Sequence, residues 1–88
     1  MITKEYTILA PEGMHARPAT ALIKLTKKFR SSFNLKKDEK TVRLNSMLNI
    51  LAMGAKGGES IFVIVEGEDE AAAAAALDEF FNKQLKNL

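Results

Sequence analysis

The sequence predicts an α+β fold in which helices collect on one face of a mostly antiparallel sheet. Three observations predict it. Apolar residues recur with a period that switches between two and about 3.6, giving the order strand, helix, strand, strand, helix, strand, helix. Turn-forming residues separate these segments. The 88 residues contain no internal repeat or linker, and that length supports one domain, residues 1–88, with a single small core.

The first strand is predicted over Ile2 to Leu9, where Ile2, Tyr6 and Ile8 alternate with Thr3, Glu5 and Thr7. Pro11, Glu12 and Gly13 break it. From Ala16 to about Phe29, Ala19, Leu22, Ile23 and Phe29 recur at helical spacing, with Lys24, Lys27 and Lys28 largely on the outer side. Phe33 and Leu35, then Val42 and Leu44, alternate with polar residues around the charged turn Lys37-Asp38-Glu39-Lys40, which reads as a hairpin. Asn45-Ser46 supplies an N-cap for a short helix with Met47, Leu48, Ile50 and Leu51 as its apolar residues, and Gly54 is placed to stop it. The continuous run Ile61 to Val65 suggests a central strand with little exposed face. From about Asp69 an alanine-rich helix presents Ala74, Leu77, Phe80, Phe81, Leu85 and Leu88, preceded by acidic residues where the helix dipole favours them. Thr3, Glu5, Thr7, Asn34, Thr41 and Arg43 are left for a sheet face open to water.

Composition excludes several classes of function. Thirteen basic residues against 11 acidic ones give a net charge of +2, which does not ask for a nucleic-acid partner. With no cysteine there are no disulfides and no thiolate zinc sites, and one histidine cannot build a His-rich metal site. No cofactor is implied. The N-terminus lacks the apolar run of a signal peptide and no stretch approaches the roughly 20 apolar residues of a membrane span, so a cytoplasmic monomer without membrane insertion is expected.

The stretch Gly13-Met14-His15-Ala16-Arg17-Pro18-Ala19 carries the chemistry. His15 falls at the start of the first helix, where backbone N–H groups lack partners and the dipole favours an anion. Imidazole titrates near neutral pH, so it is both a serviceable nucleophile and a tolerable leaving group, which suits reversible transfer. Arg17 offers a planar fork that matches phosphate oxygens. Pro18 fixes φ in the first turn, where its missing N–H is no loss. Singly, each has an ordinary explanation: a surface histidine, a solvated charge, a common helix starter. Together, beside a Gly13 that permits an unusual turn, they favour a site for phosphate or another anion.

These seven residues resemble the active-site signature of the HPr family, the histidine-containing phosphocarriers of the bacterial phosphoenolpyruvate-dependent sugar phosphotransferase system. Lys40-Thr41-Val42 followed by Asn45-Ser46 is similar to the family's regulatory serine signature, and Gly67-Glu68-Asp69-Glu70 to its lead-in to the last helix. The likeness runs over essentially the whole chain. It implies a βαββαβα open-faced sandwich, a four-stranded antiparallel sheet with three helices on one face. It implies further that enzyme I phosphorylates His15 on Nδ1, that Arg17 balances the phosphate charge, and that enzyme IIA domains of sugar permeases receive the group. Such a carrier turns over only through its partners.

The resemblance also makes Ser46 a substrate for an HPr kinase/phosphorylase, with a transcriptional regulator as a further partner, although plain capping explains a serine there equally well. Asn45 stands where the family usually has lysine, and can itself cap. Met47, Leu48 and Leu51 are candidates for an apolar docking patch and Lys24, Lys27 and Arg17 for its basic rim, although a short helix cannot expose all its apolar residues. Glu12 replaces a small polar residue; turned into the site it would oppose a phosphate, so it is expected to point to water. The alternatives are a paralogue of the nitrogen-type branch and, from another class, a small RNA-binding module, for which no aromatic-rich strand motif is present.

Overall fold

The computed structural model describes residues 1–85. Its elements are β1 (Ile2–Thr7), α1 (Ala16–Thr26), β2 (Ser32–Lys37), β3 (Lys40–Arg43), α2 (Met47–Ala52), β4 (Ser60–Glu66) and α3 (Glu70–Glu79), the last running into a π-helical turn, Phe80–Gln84. The order is the one the periodicity predicts. The strands form one sheet, β1-β4-β2-β3, antiparallel throughout. The helices cover one face: Tyr6, Phe33, Leu35, Ile61, Val63 and Val65 meet Leu22, Ile50, Leu77, Phe80, Phe81 and Leu85 in a single core.

Strand β4 is central, as expected, but its outer face is not hidden. Phe62 is 38% exposed and Ile64 half-buried. Register explains their tolerance for water: Phe62 lies between Glu5 and Lys36, and Ile64 between Thr3 and Asn34, whose side chains flank them on the open face. A continuous apolar run does not by itself reveal whether a second layer covers it.

The predicted first helix is three residues too long. Thr26 turns its hydroxyl back to donate to the Ile23 carbonyl at 2.8 Å, a local bond that competes with continued helix. The chain then closes with Lys28 N–H to Leu25 O and Phe29 N–H to Thr26 O, the tighter three-residue pattern of a helix end. At the other terminus the single predicted helix changes pitch. The Leu85 N–H reaches the Phe80 carbonyl, and the wider turn lets Phe80, Phe81 and Leu85 all face the core. Leu88 lies outside the described residues.

The three consecutive acidic residues at the start of α3, Glu68, Asp69 and Glu70, each have a partner. Glu70 meets the Met1 ammonium at 2.7 Å, and Glu68 lies 3.9 Å from Arg30. Asp69 accepts from the Arg30 N–H (2.8 Å), the Ser31 N–H (2.9 Å) and the Ser31 hydroxyl (2.5 Å), clasping the loop after α1 to the start of α3. The Ser31 hydroxyl, then the Arg30 N–H, hold the Asp69 carboxyl below its ordinary value. The clasp therefore contributes fully above the unfolded carboxylate value of about 3.9 and is lost as pH falls through the lower folded one. Asp69→Ala is expected to melt below the parent at neutral pH, the gap closing on acidification past about pH 4. Parallel thermal melts across that range check this.

Candidate functional site

His15 is the N-cap residue of α1, with extended backbone (φ −92°, ψ −171°). Its carbonyl accepts the first helical bond, from Ala19 N–H at 3.0 Å. Its ring makes no capping bond, and no acidic residue in the first turn answers the dipole. The imidazole thus stands 32% exposed beside partnerless backbone N–H groups, able to hold an anionic group against the helix end.

Two loops fix the ring's position. In the first, Gly13 N–H bonds Ala10 O at 2.9 Å and His15 N–H bonds Gly13 O at 3.1 Å. The second, residues 54–59, is the shelf on which the first rests: Met14 N–H donates to Ala55 O at 2.9 Å. The shelf is tied down in turn. Glu59 accepts from Lys56 N–H at 2.6 Å and pairs with Lys37 Nζ at 3.2 Å, while Lys37 Nζ also donates to Gly54 O at 3.3 Å. The Lys56 N–H first, with Lys37 behind it, holds the Glu59 carboxyl below its ordinary value.

Gly13 is required here twice over. Its φ of +77° is left-handed, and an added Cβ would strike the Ala55 carbonyl and come within 2.9 Å of the Lys56 Cα. Gly13→Ala is expected to cost about 2 kcal/mol or more, because the backbone strain adds to a collision that only a backbone shift relieves. Denaturant titration measures the cost, and loss of the native His15 ring resonances would report the displaced loop.

Glu12 departs from expectation. Its side chain is 81% exposed, yet its Oε2 lies 3.5 Å from His15 Nε2. The carboxylate faces water and the ring at once, because Gly13 turns the chain back on itself between the two residues.

Arg17 is exposed and, among the described residues, makes no ion pair, so its fork is unspent. Pro18 is buried in the first turn of α1. Helix α2 packs alongside α1, where Thr20 Oγ1 contacts Met47 Sδ at 3.4 Å. Of the four large apolar residues of α2, Ile50 belongs to the core and Met47 packs half-buried against it, whereas Leu48 (78%) and Leu51 (39%) are exposed.

The lysines of the expected rim diverge. Lys24, with Lys28, lines a groove against Ala76 and Glu79 of α3. Lys27 lines a cleft on the other side with Ser31, Arg43 and Asn45. Arg43, assigned from its parity to the open sheet face, therefore also neighbours Lys27. Alternation reveals a residue's face and says nothing of how far a long side chain reaches around a sheet edge.

Ser46 occupies the N-cap position of α2 (φ −146°, ψ 133°), but its hydroxyl makes no capping bond. Asn45 makes none either; instead Asn49 donates to the Arg43 carbonyl at 3.1 Å. The expectation of a side-chain cap is thus corrected, and the half-buried Ser46 hydroxyl is uncommitted. Ser46→Ala is expected to shift stability by less than about 0.5 kcal/mol, against about 1 for a bonded cap. Urea midpoints of the two proteins test it.

Sequence reasoning singled out Glu12 but expected it to point to water alone, and it missed two contributors, Glu59 and Lys37, the anchors of the shelf. Both lie in or beside loops, where no periodicity marks a partner.

Comparison with known proteins places this geometry. The family model described as PTS HPr component phosphorylation site matches residues 2–83. The phosphocarrier protein HPr of Lysinibacillus sphaericus is 38% identical over 77 residues, 88% of either chain. That of Treponema pallidum is 33% identical over 86 residues, 98% of either chain. The crystal structure of HPr-C-His from Thermoanaerobacter tengcongensis superposes with a TM-score of 0.91 at 30% identity, covering 97% of this chain and 96% of that one.

Proposed function

The chain belongs to the PTS HPr family of phosphocarriers, and from that premise we propose that His15 takes a phosphoryl group from phosphorylated enzyme I and passes it to the enzyme IIA domains of sugar permeases. The observation that carries this is the His15 ring, set at a helix start by its backbone bonds and free of any capping bond, next to an Arg17 that makes no ion pair among the described residues. In the transfer, a ring nitrogen lone pair forms the new N–P bond while the donor atom leaves with the electrons of its own bond to phosphorus. Arg17 and the N–H groups of the first turn of α1 receive the phosphoryl oxygens. Because imidazole is also a tolerable leaving group, the same arrangement runs in reverse toward the acceptor.

The exposed Leu48 and Leu51, with half-buried Met47 and the basic Lys27 on the side toward Asn45, form the surface against which an acidic, partly apolar partner docks, and Lys24, on the side toward α3, extends its basic rim. The reading places the protein in the cytoplasm; among the described residues no helix is long and apolar enough to cross a membrane. Ser46 is the second modification site, for an ATP-dependent kinase, supported by its uncommitted hydroxyl. A phosphate there adds up to about two negative charges next to the docking surface and weakens its attraction for acidic partners.

Incubation with enzyme I and phosphoenolpyruvate tests the reading. One acid-labile, base-stable phosphate, discharged on adding an enzyme IIA domain, is expected. A protein that takes up no label overturns it.

A further inference from the structure

The Glu12 carboxylate lies 3.5 Å from Nε2 of His15, and no helical or sheet geometry requires it there. The two groups are near neighbours and not a hydrogen-bonded pair, but a negative charge beside Nε2 favours the tautomer that carries the proton there. In neutral imidazole the proton is on one nitrogen or the other, and the partner of one nitrogen decides the state of both. Nδ1 is then left with its lone pair.

We propose that Glu12 is a positioning residue for phosphotransfer, fixing the His15 proton on Nε2 so that Nδ1 is the nucleophile. The proposal rests on the phosphocarrier reading for its kinetic consequence, whereas the tautomer rests on the position of the Glu12 charge beside Nε2. The step balances without moving a proton. Nδ1 gives its lone pair to phosphorus, the donor atom departs with the electrons of its bond to phosphorus, and the His15 ring keeps its Nε2 proton and gains one positive charge. Glu12 offsets that charge at the edge of the ring away from the phosphate. On discharge, the electrons of the N–P bond return to Nδ1 and the ring is neutral again, its Nε2 proton still in place. The arrangement has the logic of a carboxylate that orients a catalytic imidazole, with phosphorus in place of carbonyl carbon.

Because Glu12 is 81% exposed, water screens the pair and the effect is modest. Imidazole 15N spectra of the full chain, recorded on the high-pH plateau of its own titration, read the tautomer directly. Glu12→Ala is expected to raise the Nδ1–H population and to slow phosphorylation by enzyme I about two- to fivefold. Glu12→Gln, which keeps the shape and removes the charge, is expected to resemble Glu12→Ala and not the parent. An unchanged spectrum in Glu12→Ala overturns the proposal whatever the rate, and a changed spectrum with an unchanged rate overturns its kinetic half. If the parent itself takes no phosphate, the phosphocarrier reading falls, while the spectra still decide whether Glu12 sets the tautomer.

Discussion

Replacing His15 with alanine is expected to abolish uptake of acid-labile phosphate while leaving the fold intact. The chain has one histidine and no cysteine, so no second nitrogen or sulfur nucleophile of comparable reactivity stands in for it. What the ring does for stability is small. It is one-third exposed and caps nothing, and the bonds that fix this residue run through its backbone N–H and carbonyl, which alanine retains. Surface substitutions of this kind change stability by less than about 0.5 kcal/mol. Radiolabel from phosphoenolpyruvate should therefore fall to background in a protein whose circular dichroism and melting match the parent. Label retained by His15→Ala would place the acceptor elsewhere.

The largest stability effect is expected at Phe81. Its ring is fully buried, stacks on Tyr6 with centroids 4.4 Å apart and planes 9° from parallel, and meets Phe80 edge-on at 5.1 Å. Tyr6 is held in turn by a 2.5 Å hydrogen bond from its hydroxyl to Asp78. Burial and that bond raise the phenol's pKa, so it stays a donor throughout the physiological range. Phe81→Ala thus opens a cavity against a neighbour that cannot collapse into it, and the expected cost is about 3–5 kcal/mol. A small domain has only about 5–15 kcal/mol in total. The variant should unfold at far lower urea, whereas Leu48→Ala, at 78% exposure, should keep the parent's midpoint. Equal midpoints for Phe81→Ala and the parent would remove this stack from the account of the core.

Much of this was legible in the sequence because periodicity encodes which way a side chain points. Tyr6, Leu22, Ile50 and Leu77 fall on the faces their spacing predicts, and the order of elements follows. Spacing does not encode what lies opposite a face, which is why the water-exposed side of β4 was not anticipated. Nor does it encode local competition for hydrogen bonds: the Thr26 hydroxyl ends α1 early, and Ser46 sits at a cap position without capping. The site was legible as residue types, a ring, a fork and a proline. The shelf beneath it was not, because Met14 meets Ala55 through backbone atoms that any sequence possesses.

The strand order has a consequence for the newly made chain. Strand β1 pairs only with β4, Ile2 against Val65 and Thr7 against Ser60, and β2 depends on β4 for its other edge. As the chain leaves the ribosome, only the hairpin of β2 and β3 can pair before residues 60–66 emerge. The first strand waits, unpartnered, for nearly the whole of synthesis. Such long-range pairing makes folding slow for a domain of this size, and it makes the shelf under His15 one of the last features to assemble, since the bonds between Ile8 and residues 58–59 extend the β1–β4 ladder. Truncated chains lacking β4 should therefore have no ordered phosphate-accepting loop, and competence for transfer should arrive together with the completed sheet.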